Sequence, residues 1–195
     1  MPRAERERLI LEVAGQVFAR DGYHSASMEK IAELAGVSKP MLYAYFGSKE
    51  GLYLVYIHLT GRELVDRLGG AARPEDPIRT RLDLRINEFL AFVEEHRDGW
   101  IVLFREQAAF TPLAEEVADL RGQIAYAVRR MIESSLPPGV RLAPHAADGI
   151  ANATVGAGEA LANWWLQNPE VPREEVASWY VGLVEAAVMA AAQPG

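Results

Sequence analysis

Apolar positions recur with a helical period almost from the start of the chain. Between Arg3 and Asp21, Ile10, Val13, Ala14, Val17 and Phe18 follow at spacings that lay them in one stripe along a helix. Asp21-Gly22-Tyr23 closes that helix, with Gly22 free to take left-handed backbone. A short second helix is predicted after Ser27, a residue type suited to capping, with Glu29 in its positive first turn. Its inner side carries Ile31, Ala32 and Ala35. Gly36-Val37-Ser38 breaks the pattern. Ser38 can cap a third helix, Lys39 to Phe46, with Pro40 in its first turn, where a missing N–H costs little. Gly47 stops it, and Ser48 can cap a fourth helix from about Lys49 to Leu68.

The remainder repeats the same grammar. Gly69 to Pro74 reads as a loop. Asp76-Pro77 opens a fifth helix to about Arg97, and Trp100 to Phe110 forms a short sixth. Thr111-Pro112 starts a seventh, which runs to Ser134. Pro137-Pro138-Gly139 is a breaker. Pro144 to Gln167 is the eighth helix, and Arg173 to Ala192 the ninth. No stretch alternates with period two between turn signals, so no strand is predicted. The expected fold class is all-α, with about nine helices. The expected domains are residues 1–48, built of three helices, and residues 49–195, a larger helical domain.

Composition narrows the chemistry. The 195 residues include no cysteine, which excludes disulfides, thiolate metal sites and a cysteine nucleophile. No apolar run is long enough to span a bilayer, and the start of the chain is charged, so a cytoplasmic protein with no membrane partner is expected. The net charge of −7 argues at first against nucleic acid. Its distribution softens that. Residues 1–56 hold seven basic and seven acidic residues, so the remaining 13 basic and 20 acidic residues carry all of the excess. Whole-chain charge is a poor veto when functions are segregated.

Residues 27–46 have the outline of a helix-turn-helix: short helix, glycine-containing turn, short helix. Ile31, Ala32, Ala35, Val37 and Leu42 can form the shared core that fixes the angle between the helices. The second helix then turns Ser38, Lys39, Met41, Tyr43, Ala44 and Tyr45 outward. Exposed tyrosines are costly unless something covers them, and a phenol is a phosphate donor. Lys39 stands at the helix start, where a recognition helix meets base edges. Lys49 lies in the first turn of the fourth helix, beside free N–H groups that attract phosphate. Tyr43 as core packing and Lys49 as a solvated lysine are the plainer alternatives.

The stretch DGYHSASMEKIAELAGVSKPMLYAYFGSKEGLYLVYI resembles the DNA-binding domain of the TetR family of bacterial repressors, over about residues 5–57. The resemblance implies that Ser27, Lys39, Tyr43, Tyr45 and Lys49 make phosphate or groove contacts. It places Ser38, Pro40 and Met41 against bases. Tyr45 stands where the family often has histidine, a change of donor with the role expected to persist. Met41 offers no hydrogen bond, so readout there would be apolar, as to a thymine methyl.

The resemblance further implies that the C-terminal part binds a small-molecule effector and forms a homodimer. Large rings gather around the fifth and sixth helices. Phe89, Phe92, His96, Trp100, Phe104 and Gln107 are the candidate effector-binding residues, with Asn87 and Glu106 as further polar groups. The same rings could simply fill a helical core. Ala153, Gly156 and Ala160 on the eighth helix, with Tyr180, Leu183, Val184 and Ala187 on the ninth, are the candidate dimer interface. His24, His58, His96 and His145 lack metal-ligand spacing, and no nucleophile–base motif occurs, so neither metal, cofactor nor enzymatic activity is expected. The expected function is a ligand-responsive homodimeric repressor, released from a palindromic operator in double-stranded DNA by a small hydrophobic effector. The alternative is a DNA-binding transcription factor without an effector.

Overall fold

The computed structural model describes residues 2–73, 75–105, 113–136, 139–143 and 145–194. Among them lie nine α-helices: α1 (Arg3–Ser25), α2 (Met28–Leu34), α3 (Lys39–Phe46), α4 (Lys49–Gly70), α5 (Ile78–Glu95), α6 (Arg97–Trp100), α7 (Ala114–Glu133), α8 (Ala146–Trp165) and α9 (Arg173–Ala191). The fold is all-α. Some details differ from the sequence expectation. Two three-residue strands, β1 (Val140–Leu142) and β2 (Ala192–Pro194), pair antiparallel with Arg141 opposite Gln193. A pairing this short uses backbone groups alone and leaves no period-two pattern to read. The sixth helix also begins earlier than expected, as α6, and continues through a wide π-helical turn at Ile101–Arg105. The expected continuation to Phe110 falls outside the described residues, as do Glu106 and Gln107.

The chain divides into two compact units, the first comprising Met1–Arg62 and His96–Leu120 and the second Glu63–Glu95 and Arg121–Gly195. In the first unit the α1 stripe is the core, with Ile10, Ala14 and Val17 wholly buried. Gly22, at φ 76°, interrupts α1 at a left-handed φ, and helical turns resume to Ser25. The bend carries Tyr23 inward, where its ring meets Tyr53 edge-on at 5.0 Å, beside Phe18. Ile31 of α2, Leu42 of α3 and Leu52 and Ile57 of α4 complete the packing and are also fully buried.

In the second unit α5 packs along α9. The apolar positions of α5 from Leu82 on its inner sides are buried, including Ile86, Phe89, Leu90, Phe92 and Val93. On α9 the inward stripe is Val176, Tyr180, Val184 and Val188, one residue per helical turn. Gly158 of α8 makes room for Tyr180: a Cβ there would stand 2.6 Å from the phenol oxygen. That hydroxyl donates to the Thr154 carbonyl at 2.6 Å, and burial pushes the phenol's ionisation well up. A buried charge is the surprise of this unit. Arg81 on α5 donates to the carbonyls of Ser134 at 2.9 Å and Ser135 at 2.7 Å, satisfying the C-terminal end of α7. Arg85 supports it by donating to the Ser135 hydroxyl at 3.1 Å, and burial together with the Arg81 charge lowers its pKa.

Candidate nucleic-acid interface

The helix-turn-helix is held by local backbone chemistry. Ser27 caps α2 by accepting from the Lys30 N–H. At the other end Gly36, at φ 64°, takes the left-handed turn. The Val37 N–H then bonds the Ala32 carbonyl at 3.0 Å and the Gly36 N–H bonds that of Glu33 at 3.2 Å, so both orphan carbonyls are satisfied. Ser38 caps α3 by accepting from Met41 N–H at 3.3 Å, with Pro40 in the first turn. Gly47, at φ 74°, ends α3, and Ser48 accepts from Gly51 N–H at 3.0 Å to begin α4. Gly51 is required at this elbow. A Cβ there would lie 2.1 Å from the Phe46 carbonyl oxygen.

These constraints decide which side chains α3 presents. Leu42 and Phe46 point inward and are buried. Ser38, Lys39, Pro40 and Tyr43 are exposed, and Met41 is half-exposed beside them. Tyr43, a large ring 41% exposed on a two-turn helix, is not core packing. Lys39 reaches back to α2 and forms an ion pair with Glu29. That contact holds the Lys39 ammonium above its usual range and the Glu29 carboxyl below its own. Ser27, half-buried, donates its hydroxyl to the same carboxylate at 3.3 Å.

Two further expected contact residues are engaged within the protein. The Lys49 ammonium donates to the carbonyls of Tyr23 at 2.8 Å, His24 at 3.1 Å and Ala26 at 3.2 Å. All three of its donors are therefore spent on the end of α1, and the charge sits 4.7 Å from the Tyr23 ring centroid. Tyr45 is half-buried. Its hydroxyl accepts from Arg6 at 3.3 Å, and the Arg3 guanidinium lies 5.2 Å from its ring centroid. Arg3 and Arg6 escaped sequence reasoning because nothing in the pattern places the start of α1 beside the end of α3.

The candidate effector residues are drawn from both units. Phe89 and Phe92 belong to the second unit, Phe89 packing on Tyr180 at 6.0 Å and the fully buried Phe92 lying 5.8 Å from the Arg67 guanidinium. His96, Trp100 and Phe104 belong to the first, with Trp100 stacked on Phe104 at 4.2 Å and His96 at the entry to α6. Gln107 lies outside the described residues. A cavity of about 400 Å³ in the second unit is lined by other residues, among them Arg129, Arg141, His145 and Asp148.

The candidate dimer residues divide by face. Ala153, Gly156 and Ala160 are exposed on α8, and Leu183 on α9 is 53% exposed. Ala187 is half-buried. Tyr180 and Val184 are buried within the chain itself, so they cannot present side chains to a partner. The outward stripe of α9 shares Leu183 with that expectation and otherwise carries Trp179, Gly182, Ala186 and Met189. Trp179 meets Trp164 of α8 at 6.0 Å on this surface.

Among the described residues, no helix is long and apolar enough to cross a membrane, and no group of three acidic, histidine or cysteine side chains could hold a metal ion. A capped helix-turn-helix with an exposed polar and aromatic second helix defines a DNA-binding transcriptional regulator.

Comparison with known proteins agrees. Residues 10–56 match the family of bacterial regulatory proteins, tetR family, and residues 78–187 match the tetracyclin repressor-like C-terminal domain. The chain belongs to the TetR family, whose members are regulators and not enzymes. It is 35% identical over 169 residues to the HTH-type transcriptional activator FasR of Mycolicibacterium smegmatis, covering 86% of this chain and 75% of that protein. The crystal structure of a TetR-like transcriptional regulator from Rhodococcus sp. RHA1 superposes with a TM-score of 0.78 at 34% identity, covering 97% of this chain and 98% of that one. The transcriptional regulator FadR from Bacillus subtilis, crystallised with stearoyl-CoA, shares the fold with a TM-score of 0.76 at 17% identity, covering 91% of this chain and 96% of that one.

Proposed function

We propose that the chain is a homodimeric repressor that binds a pseudo-palindromic operator through α3 and leaves it when a small hydrophobic effector binds. The observation that carries this is the exposed face of α3, where Ser38, Lys39, Pro40, Met41 and Tyr43 surround no core of their own. Lys39 would exchange the Glu29 carboxylate for DNA. Tyr43 would donate to phosphate, and Met41 would pack against a base edge. Residues 1–48 act as the DNA-binding domain and residues 49–195 as the effector and dimer domain. A regulator acting on chromosomal DNA works in the cytoplasm.

The outer face of α8 and α9 supports the dimer. Trp164, Trp179, Leu183 and Met189 are between 41% and 57% exposed, and Gly156 and Gly182 have open space above their backbones. A contiguous apolar face rimmed by polar groups favours burial against a second copy, and a two-fold pair of α8–α9 faces makes a four-helix interface. Leu183→Asp is expected to shift the protein from dimer to monomer in sedimentation velocity. An intact dimer would remove this face from the interface.

For the effector, the support is the stearoyl-CoA held by a regulator of the same fold. Differential affinity is the only lever such a ligand has: it must bind the DNA-free state more tightly. A gel-shift series with fatty acids and acyl-CoA thioesters tests it. Release of DNA at micromolar ligand is expected. No release across the series favours the effector-free factor. The sign of regulation follows from where the operator lies relative to the promoter, and the relative FasR is named an activator.

A further inference from the structure

Helix α3 carries a single charged side chain, Lys39, and in the free protein that charge is held by Glu29. Glu29 stands in the first turn of α2, where a carboxylate suits the positive helix end. Its side chain reaches beyond that role. One carboxylate oxygen takes the Lys39 ammonium, and the other accepts from the Ser27 hydroxyl at 3.3 Å. The carboxylate is therefore fixed between the starts of α2 and α3, beside the exposed Ser38, Lys39 and Pro40. The Glu29 side chain is 68% exposed and that of Lys39 44%, so water and ions reach the pair and its partners can be exchanged.

A duplex changes the balance. Once Lys39 turns to DNA, Glu29 is left as an anion on a surface that faces phosphates. Phosphate oxygens only accept hydrogen bonds, so the backbone offers a carboxylate no partner. In the major groove the donors are the amino groups of cytosine and adenine. The cytosine amino group lies beside O6 of its paired guanine, and guanine O6 and N7 are the acceptors that lysine favours. One G·C pair therefore supplies both replacement partners, acceptors for the ammonium and a donor for the carboxylate. We propose, on the reading that α3 faces DNA, that Lys39 and Glu29 together read one G·C pair in each half-site, Lys39 donating to guanine and Glu29 accepting from the cytosine amino group. Ser27 is a positioning residue: its hydroxyl holds the second carboxylate oxygen while its oxygen caps α2.

The test is selection from a random-sequence duplex pool with the full chain, followed by dissociation constants for the enriched duplex and for its G·C to A·T variants. The wild type should enrich a G·C pair at one symmetric position of each half-site, and changing that pair to A·T should weaken binding about fivefold or more. Glu29→Gln keeps the shape of the side chain and presents a donor beside an acceptor, so it should move the preference at that same position to adenine. Lys39→Met should flatten the preference there and leave the other positions as they were. Glu33→Gln removes an equal charge from the same helix, where Glu33 pairs with Lys30 at 3.2 Å, and should enrich the wild-type sequence. If Glu29→Gln enriches the wild-type sequence, or tightens binding to every duplex alike, Glu29 is only a counter-ion of Lys39 and the proposal is overturned. The same base shift in Glu33→Gln overturns it too, because net charge is then the cause. A wild type that enriches no sequence removes the underlying reading of α3, and the proposal with it.

Discussion

Replacing Lys49 with methionine should destabilise the first unit, because the ammonium ties the end of α1 to the start of α4. Methionine keeps most of the aliphatic stem and removes three charge-assisted hydrogen bonds, at 2.8, 3.1 and 3.2 Å. One such bond contributes about 1.5–3 kcal/mol, and the ring contact with Tyr23 adds about 0.5–1 kcal/mol. Lys49 is half-buried and the His24 carbonyl can take water instead, so the pieces do not sum. A net loss of about 2–3 kcal/mol is expected, which at a urea m-value of about 2 kcal/mol/M moves the unfolding midpoint by roughly 1 M or slightly more. Urea titration followed by circular dichroism reads it. A phosphate contact makes the opposite prediction: stability within about 0.5 kcal/mol of wild type, and a salt slope for DNA lower by about 0.9. An unchanged midpoint would refute the assignment of Lys49 to the α1 terminus.

Three further outcomes follow from single contacts. Gly51→Ala drives a Cβ to within 2.1 Å of a backbone carbonyl that cannot swing aside, and should cost about 1–3 kcal/mol in a thermal melt; an unchanged melting temperature would contradict the elbow geometry. Arg81→Met leaves the Ser134 and Ser135 carbonyls without their donor, and should cost about 1–3 kcal/mol, whereas a stabilised variant would show that the buried charge is dispensable. The Glu29 carboxyl is held low by Lys39, so its side-chain carbon resonance should titrate below an ordinary glutamate and move up in Lys39→Met. By linkage, the contribution of that pair is present above the unfolded glutamate pKa and is lost as pH falls through the folded value; identical titrations in both proteins would mean the pair does not form in solution.

The helix-turn-helix was legible because its information is local. Ser27, Ser38 and Ser48 each cap the helix expected of them, and Gly36 and Gly47 take the left-handed turns that fix the direction of the next element. Once those are set, the period of three and four decides that Leu42 and Phe46 go in and Tyr43 goes out. The occupations of Lys49 and Tyr45 were not legible, since backbone carbonyls have no side-chain pattern and the approach of α1 to α3 is long-range. On helix α9 the obstacle was different. The helix is apolar on two faces, Val176-Tyr180-Val184-Val188 and Trp179-Leu183-Ala186, and periodicity locates stripes without saying which one a neighbouring helix covers. Arg81 was hidden by the ordinary expectation that arginine is solvated. Only the bare carbonyls at the end of α7 explain its burial.

The central claim is that the exposed face of α3 lies against a duplex, with Met41 at a base edge. Selection of bound fragments from a random-sequence pool, run in parallel with the wild type and with Met41→Asn, tests it most directly. The wild type should enrich two half-sites about one helical turn apart, and the variant should change the preferred base at the same symmetric position in both. No enrichment over competitor, or the same enriched sequence from both proteins, would contradict it.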